Sequence, residues 1–333
     1  MLKNKLDKET LERILEGRTK NQARAEASKL IGEDIKKSTF NDFIIRTLGE
    51  DARRRRLKQK DAELRLHRQR FDVEVQETQT LKEIVNKDYK RIMVISDLHV
   101  PYQHPDAFTF LQEVKRVYNP DLIVCTGDEL DNHAMSFHTP DPDLDAAGCE
   151  LNRGREFLKE LHDVFPNMLL CHSNHGSLAY RRGKAYGIPK HFLLSLRDAI
   201  FGERTPDGDV IRRGGLGNGW FWADYLLIKS NGKLIKFKHG GSSQDMLSDL
   251  MKERCCLVRG HYHGQFNIVY SASPTETIWG MTVGCLIDNQ NIAFNYNKVF
   301  NENPIYGCGM IIKGQPHLIP MVLENGKWIR KLV

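Results

Sequence analysis

The chain has 333 residues, 40% of them hydrophobic, and a net charge of +6. This length predicts about two domains and is ample for a large buried core. No apolar run approaches the ~18 residues that a membrane span needs, and the N-terminal residues lack the apolar segment of a secretory signal. The seven cysteines show no C-x-x-C spacing, which is typical of reduced thiols. We therefore expect a cytoplasmic globular protein without a membrane partner.

The first 50 residues predict three short helices, each of which stops at a glycine. Apolar residues recur at helical spacing in 8–17, 21–32 and 38–49, and Ser38 or Thr39 is a candidate N-cap of the third helix. Helices of this kind fit a nucleic-acid-binding helix-turn-helix. They also fit a small helical cap or an oligomerisation arm, and the oligomeric state is left open.

Residues 51–70 form a predicted basic helix, and residues 71–88 a predicted polar linker. Nine Lys or Arg side chains lie between Arg53 and Arg70. Residues 1–88 hold 22 Lys and Arg against 17 Asp and Glu, whereas the remaining 245 residues hold 27 against 26. A basic run of this kind is either a solvated face or a surface that contacts the phosphates of nucleic acid. The candidate nucleic-acid contacts are Arg53, Arg54, Arg55 and Arg56.

From residue 89 onward, strand-like and helix-like segments alternate. This alternation predicts one mixed α/β domain over 89–333 that ends in a β-rich half. The clearest helices are 105–119 and 151–165, where apolar residues recur at i, i+3 and i+4. The strand-like segments are 91–96, 121–126, 168–172, 225–230, 234–239, 255–260, 268–274, 277–287 and 307–328.

Polar side chains follow five of these strands where each apolar run ends. Asp97 and His99 come directly after the first strand, and residues two apart on an extended backbone point to the same side. Sites in open α/β sheets form outside the carboxyl ends of the strands, so the five strand ends can converge there. The candidate metal ligands at these ends are Asp97, His99, Asp128, Asn174, His239, His261 and His263.

Seven nitrogen and oxygen donors without a cysteine are too many for one tetrahedral site. They suit two divalent metal ions that share a bridging carboxylate. Mn²⁺, Fe, Zn²⁺ and Ni²⁺ all accept such ligands, and Mn²⁺ is the ion we favour.

Taken in order, the motifs D-x-H, G-D-x-x-D, N-H, H and G-H-x-H resemble those of the calcineurin-like metallophosphoesterase superfamily. They lie at 97–99, 127–131, 174–175, 239 and 260–263. The resemblance covers residues 90–265 and implies a two-sheet sandwich flanked by helices. The order of the domains and the segment 279–298 are also similar to phage-encoded members, which would place the protein in a host cytoplasm.

The resemblance also implies a role for each candidate residue. His175 would be the catalytic histidine, oriented by Asp131. Two cations would clamp the phosphate oxygens and lower the pKa of a bridging water, whose hydroxide attacks phosphorus. His175 would stabilise charge or protonate the leaving oxygen. The implied ligands are Asp97, His99, Asp128 and His263 for metal 1, and Asp128, Asn174, His239 and His261 for metal 2.

One departure from the family pattern bears on the substrate. Protein phosphatases of this superfamily follow the G-D-x-x-D motif with an arginine, whereas this chain has Asn132. Together with the basic N-terminal residues, this favours nucleic acid as substrate and phosphodiester hydrolysis as reaction. Arg181 and Arg182 are candidate phosphate contacts or, alternatively, part of a solvated turn.

Two alternative functions stay open at this point. One is a phosphomonoesterase that acts on nucleotides or phosphoproteins. The other is a nucleic-acid-binding regulator with an inert phosphoesterase domain, against which the complete set of ligands argues. Of the loop histidines near the inferred site, we expect at most one to contact substrate: His104, His133 or His138.

Overall fold

The computed structural model describes residues 6–16, 18, 20–47, 81–137, 141–204, 210–212, 219–294 and 303–332. The chain divides into two compact units, Met1–Gln76 and Glu77–Val333. The predicted basic helix 51–70 lies outside the described residues, so its interpretation stays a prediction. The same holds for residues named above that fall in undescribed segments: Arg53, Arg54, Arg55, Arg56 and His138.

The described part of the N-terminal unit contains three short helices: α1 (Lys8–Leu15), α2 (Lys20–Ile31) and α3 (37–47). Asp7 caps α1 by accepting a hydrogen bond from the Thr10 backbone N–H at 2.8 Å. Ser38 and Thr39 lie inside α3 instead of at its N-cap. The helix-turn-helix interpretation stays a prediction. The buried side chains of this unit are Leu6, Leu11, Ile14, Ala23, Ala27, Ile35, Phe40, Phe43 and Ile44.

Helices and strands alternate along the larger unit. Its helices are α4 (Ala107–Tyr118), α5 (Ala147–Val164), α6 (Leu178–Ala185), α7 (Leu196–Phe201) and α8 (Met246–Glu253). Its strands are β1 (Arg91–Ile95), β2 (Leu122–Cys125), β3 (Met168–Cys171), β4 (Glu203–Arg204), β5 (Val210–Arg212), β6 (Trp220–Ala223), β7 (Leu226–Ser230), β8 (Lys233–Lys238), β9 (Cys256–Arg259), β10 (Phe266–Ala272), β11 (Thr277–Val283), β12 (Gly307–Ile312), β13 (Gln315–Pro320), β14 (Leu323–Glu324) and β15 (Lys327–Trp328).

Two large sheets form the centre of this unit. One has the strand order β13-β12-β1-β2-β3-β6, and the other β10-β11-β9-β8-β7. Along β1, Ile92 and Val94 share a core with side chains of the second sheet, whereas Met93 and Ile95 pack with α4 and α5. Alternate side chains of a strand point to opposite faces, so both faces of the first sheet are buried. The predicted mixed α/β fold, with two sheets flanked by helices, is therefore confirmed.

The parallel strands of each sheet end at a common edge. β1, β2 and β3 run parallel in the first sheet, and β8 and β9 run parallel in the second. The Gly260 N–H donates to the His239 carbonyl oxygen at 2.9 Å, directly after β9 and β8. The Nδ1 of His239 lies 3.0 Å from the carbonyl oxygen of Thr126, which follows β2. These contacts bring the carboxyl ends of the two sheets together.

Residues 81–88, which the sequence assigns to a linker, pack on the larger unit. Residues 81–85 are helical, and Leu81, Ile84 and Val85 lie against the core between the two sheets. The Tyr89 N–H donates to the Lys229 carbonyl oxygen at 3.0 Å. The part of the predicted linker from residue 81 onward is therefore structured. Among the described helices, none is both long and apolar enough to cross a membrane.

Candidate metal centre

Four of the candidate ligands lie just after the end of a strand and have a left-handed backbone conformation. Asp97, His99, Asp128 and His261 have φ angles of 49°, 50°, 53° and 72°. Non-glycine residues rarely adopt this conformation, and it is concentrated at functional sites. Asp97 and His99 were expected to converge through an extended backbone, and that reasoning was wrong because β1 ends at Ile95. The two side chains meet because the chain turns sharply at each of them.

Two glycines allow the strand ends to approach closely. A Cβ atom on Gly127, whose φ is +111°, would lie 2.7 Å from Ser173 Cβ and 2.9 Å from His239 Nδ1. A Cβ atom on Gly260 would overlap the Ser96 hydroxyl and the Asp97 carboxylate. A side chain at either position would displace a candidate ligand. Each glycine immediately precedes one: Asp128 after the first and His261 after the second.

The first candidate cluster joins Asp97, His99 and His263, whose ligand atoms all lie within 4.8 Å of one another. Asp97 Oδ1 is 3.9 Å from His99 Nε2 and 3.4 Å from His263 Nε2. The Asp97 carboxylate accepts a hydrogen bond from the Ser96 hydroxyl and one from the His261 backbone N–H, at 3.0 Å to Oδ2. These donors hold the carboxylate in place on the side away from the histidines.

The second candidate cluster joins Asp128, His239 and His261, again within 4.8 Å. The Nε2 of His239 lies 3.0 Å from Asp128 Oδ2 and 2.6 Å from Asn174 Oδ1. Asp128 Oδ2 is also 3.5 Å from His99 Nε2. The Asp128 carboxylate therefore lies between the two clusters, where a bridging ligand would have to be. The structure thus brings all seven candidate ligands to one edge.

Asp131 contacts two histidines closely, and its Oδ2 also lies 3.7 Å from His133 Nδ1. Its Oδ1 lies 2.6 Å from His99 Nδ1 and 3.4 Å from His175 Nδ1. The Nδ1 of His175 also contacts the Asp131 backbone carbonyl, and its backbone N–H donates to Asp128 Oδ1 at 3.2 Å. Sequence reasoning paired Asp131 with His175 alone and missed the shorter contact with His99. A carboxylate on the far nitrogen of a metal-binding histidine is a common arrangement, because it fixes the tautomer.

The carboxylates at the centre stay charged despite their burial. Burial raises the pKa of a carboxyl group, yet the histidines nearby hold the pKa values of Asp97 and Asp128 well below the usual range. Burial lowers the pKa of His99, but its hydrogen bond with Asp131 and the carboxylate of Asp97 raise that pKa to about 10. Two buried carboxylates therefore stay charged and require positive charge beside them.

One buried nitrogen atom indicates where a divalent cation would fit. His99 is 1% exposed, and within the described part of the chain its Nε2 has no hydrogen-bond partner. That nitrogen is aimed between the carboxylates of Asp97 and Asp128. A buried nitrogen without a hydrogen-bond partner is costly, and a divalent cation coordinated by the imidazole would remove the cost. The residues present therefore fit divalent metal ions.

Sequence reasoning missed two buried titratable residues, one inside a motif and one directly before a motif. Glu129 accepts a hydrogen bond from Trp222 Nε1 at 2.8 Å, and burial raises its pKa to about 7. Arg259, the last residue of β9, is fully buried; its Nη1 donates to Asp249 at 2.7 Å and its Nη2 to the Gln244 carbonyl at 2.6 Å. Arg259 anchors the loop after β8 beside the strand that presents His261. The signal for both was a charged residue within or beside an apolar run.

The other candidate residues near the centre have contacts within the protein. Arg182 donates from Nε to the Met135 carbonyl at 2.9 Å and also donates to Ser136. The Nδ1 of His104 accepts a hydrogen bond from the Asp106 N–H, and the Nε2 of His133 accepts one from the Asp141 N–H, both at 3.0 Å. All three side chains therefore have a structural role. Arg181 is exposed.

The chain is similar to known proteins in sequence and in fold. A family model described as calcineurin-like phosphoesterase matches residues 90–276, which is more than half of the chain. No curated protein matches the chain. Similar solved structures include vacuolar protein sorting 29 from Cryptosporidium parvum, at 14% identity, 72% coverage of this chain, 95% of that chain and a TM-score of 0.37. A single mutant of Vps29 from Entamoeba histolytica has 13% identity, coverages of 73% and 98%, and a TM-score of 0.37. The phosphoesterase Yfce from E. coli has 15% identity, the same coverages and a TM-score of 0.34.

Proposed function

The chain belongs to the calcineurin-like phosphoesterase family and is a metal-dependent phosphoester hydrolase, and we propose that it is a phosphodiesterase that hydrolyses nucleic acid. The observation that carries the proposal is that the buried carboxylates of Asp97 and Asp128 meet at the Nε2 of His99, which has no hydrogen-bond partner among the described residues. This arrangement provides ligands on both sides of a shared carboxylate. It suits a pair of divalent ions, for which Mn²⁺ is our choice because the donors are nitrogen and oxygen without sulfur.

Each ligand has a place in this proposal. Asp128 lies between the clusters and would bridge the two ions. When bound, the ions neutralise phosphate oxygens and lower the pKa of water, which makes hydrolysis possible at neutral pH. The proposed ligands of the first ion are Asp97, His99 and His263, and those of the second are Asn174, His239 and His261.

His175 and Asp131 would serve in proton transfer to the leaving oxygen. A backbone carbonyl can only accept a hydrogen bond, so the contact between His175 Nδ1 and the Asp131 carbonyl requires that Nδ1 donates. The Nε2 of His175 is then the nitrogen that can exchange a proton with the leaving oxygen. Asp131 would also hold the Nδ1 proton of His99, which leaves the Nε2 of His99 available to a metal.

A diester substrate is favoured by the residue that follows Asp131. Asn132 donates from its side-chain amide to the His175 carbonyl at 3.0 Å, so this side chain is engaged within the protein. It brings no positive charge to the position where related protein phosphatases have an arginine. A phosphomonoester carries up to two negative charges and a phosphodiester one, so the loss of a cation weakens monoester binding more. The predicted basic residues Arg53–Arg56 would add sequence-independent attraction to a polynucleotide.

The test compares three substrates with the full-length protein in Mn²⁺: a nitrophenyl phosphate, a bis-nitrophenyl phosphate and DNA, which is supplied both as a plasmid and as a single strand. We expect hydrolysis of the aryl diester and of DNA, both abolished by a chelator, and little hydrolysis of the aryl monoester. His175→Gln serves as the control for contaminating nucleases, because its DNA cleavage must fall in parallel with its diester hydrolysis. A clear preference for the monoester would overturn the nucleic-acid proposal in favour of a phosphomonoesterase. If the metal-loaded protein hydrolyses none of the three, the result would favour the alternative of a nucleic-acid-binding regulator with an inert phosphoesterase domain.

A further inference from the structure

An exposed surface rich in aromatic and basic side chains begins shortly after His175. We call it the α6 surface; Tyr186 is 76% exposed, Phe137 48% and Tyr180 43%. Large aromatic side chains that are exposed together mark a site of interaction more often than scattered single ones do. The side chains that define the α6 surface are Phe137, Tyr180, Arg181, Lys184, Tyr186 and Lys190.

The chain segment that carries most of this surface has charges of one sign only. From His175 to Arg197 the sequence contains five Lys or Arg residues and no Asp or Glu. The occupant of such a surface has to be negatively charged or at least tolerate a positive field. Protein interfaces also contain tyrosine and arginine, but they combine both signs of charge around an apolar centre. A polyanion with flat apolar faces matches the α6 surface better.

The rings are held by neighbouring cations. The guanidinium carbon of Arg181 lies 4.8 Å from the centre of the Phe137 ring, and that of Arg182 lies 4.4 Å from it. Lys190 Nζ lies 5.8 Å from the centre of the Tyr180 ring. Because Arg182 is tied to the backbone of residues 135 and 136, it fixes the loop that carries Phe137. The rings of Phe137 and Tyr180 are therefore prearranged beside positive charge.

The same surface is connected to the metal centre through the backbone of His175. The Leu178 N–H, in the first turn of α6, donates to the His175 carbonyl at 3.1 Å. The Asn132 side chain donates to the same carbonyl, and residues 133–137 continue from there to Phe137. The two chain segments that form the surface, residues 132–137 and α6, therefore both donate a hydrogen bond to the backbone carbonyl of the proposed catalytic histidine. A strand whose phosphodiester lies at His175 would continue onto α6.

We propose that the α6 surface binds the unpaired bases of single-stranded nucleic acid next to the phosphodiester that is cleaved, an inference that rests on the proposed function. Bases stack on Tyr186 and Tyr180, Phe137 holds the guanidinium groups of Arg181 and Arg182 in place, and Arg181, Lys184 and Lys190 contact the phosphates. Stacking on aromatic rings tolerates any base sequence, because every base has a flat face. A duplex keeps its bases stacked on one another and cannot use the rings. The substrate class is therefore single-stranded, without a strong sequence preference.

The test measures binding of a fluorescent oligothymidylate by anisotropy, with full-length protein in a chelator so that no turnover occurs. A salt concentration of about 0.3 M suppresses contacts that are only electrostatic. We expect Tyr186→Ala to weaken binding by about 5- to 150-fold, the range for one lost stacking contact. The matched control is Tyr270→Ala, because Tyr270 is 55% exposed and lies on β10, outside the α6 surface. Its binding should equal that of the unmodified protein.

Hydrolysis of bis-nitrophenyl phosphate separates this inference from the proposed function. The unmodified protein and the Tyr270→Ala variant should hydrolyse it at the same rate, because Tyr270 lies on β10, outside both the metal centre and the α6 surface. If Tyr186→Ala binds the oligonucleotide normally, or if a duplex of equal length binds as tightly as the single strand, the α6 surface is not the binding site. In either case, DNA hydrolysis by the unmodified protein would still support the proposed function. If the unmodified protein hydrolyses the aryl diester but neither binds nor cleaves any nucleic acid, the proposed function fails. A folding defect in a variant would appear as a lowered melting temperature.

Discussion

Replacing Gly127 with alanine is expected to disable the metal centre by displacing His239. The new Cβ atom would lie 2.9 Å from His239 Nδ1 and 2.7 Å from Ser173 Cβ, whereas ordinary contacts begin at 3.4 Å. The imidazole would have to move by about 0.5 Å, and a φ of +111° adds strain of about 1–3 kcal/mol for a residue with a side chain. The His239 Nε2 would then leave its position 3.0 Å from Asp128 Oδ2.

The expected loss follows from the sensitivity of catalysis to geometry. A misplacement of 1 Å costs on the order of 10²-fold, so a shift of half that size should slow hydrolysis of bis-nitrophenyl phosphate by about tenfold or more. Metal content after desalting, measured by mass spectrometry, should fall for the ion held by His239. The melting temperature should fall as well, because strain at Gly127 destabilises the folded state.

Gly240→Ala is the matched control for this experiment. A Cβ atom on Gly240 would meet the ring of His261 at 3.5 Å, an ordinary contact, so the same substitution beside another candidate ligand should be tolerated. If Gly127→Ala retained two metal ions and the unmodified rate, the close approach of Gly127 would not position His239. If both variants lost activity equally, a general effect of alanine near the centre would explain the result.

Three further outcomes are expected. Asp128→Asn should abolish hydrolysis and reduce the occupancy of both metal ions, since an amide cannot replace a bridging carboxylate; full activity with two bound ions would contradict the bridge. His175→Gln should keep its metals, measured in the same way, yet turn over about 10²–10⁴-fold more slowly, most of all with poor leaving groups, and loss of metal would make His175 a ligand. A variant lacking residues 1–76 should hydrolyse the aryl diester normally, because all candidate ligands lie in the larger unit, but bind DNA with a shallower salt slope. If residues 51–70 form the predicted basic helix and make about five phosphate contacts, the full-length protein has a log–log slope near −4 to −5, whereas equal slopes would show that this segment is a solvated face.

The location of the centre could be predicted because its signals are local. An apolar run that ends in Asp, Asn or His is visible in the sequence, and β1, β2, β3 and β9 lie within a residue or two of their predicted positions. Parallel strands end at one edge, so the convergence of the side chains follows from the order of the elements. The glycines before Asp128 and His261 belonged to the same motifs, and the structure explains them by the atoms that a side chain there would meet.

Other features depend on residues far apart in the chain and left no local signal. β12 and β13 were expected in the β-rich end of the domain, but the sequence did not indicate that β12 pairs with β1 in the first sheet. The short helices α6 and α8 and the strand β6 were not predicted, because eight or fewer residues show too little periodicity. The shared use of Asp131 by His99 and His175 could not be read from spacing, because the three residues belong to three different loops.

The pairing of β12 with β1 has a consequence for folding during synthesis. Arg91 pairs with Ile312 and Val94 with Gly309, so more than 200 residues separate the two strands in the chain. Until the ribosome has made β12, one side of β1 is an unpaired edge, and that strand leads directly to Asp97 and His99. Unpaired apolar edges are sites of aggregation, and long-range pairing is slow. The strand that presents the first metal ligands is therefore made early but gains its second neighbour only near the end of synthesis, and until then the nascent chain exposes an edge that can aggregate.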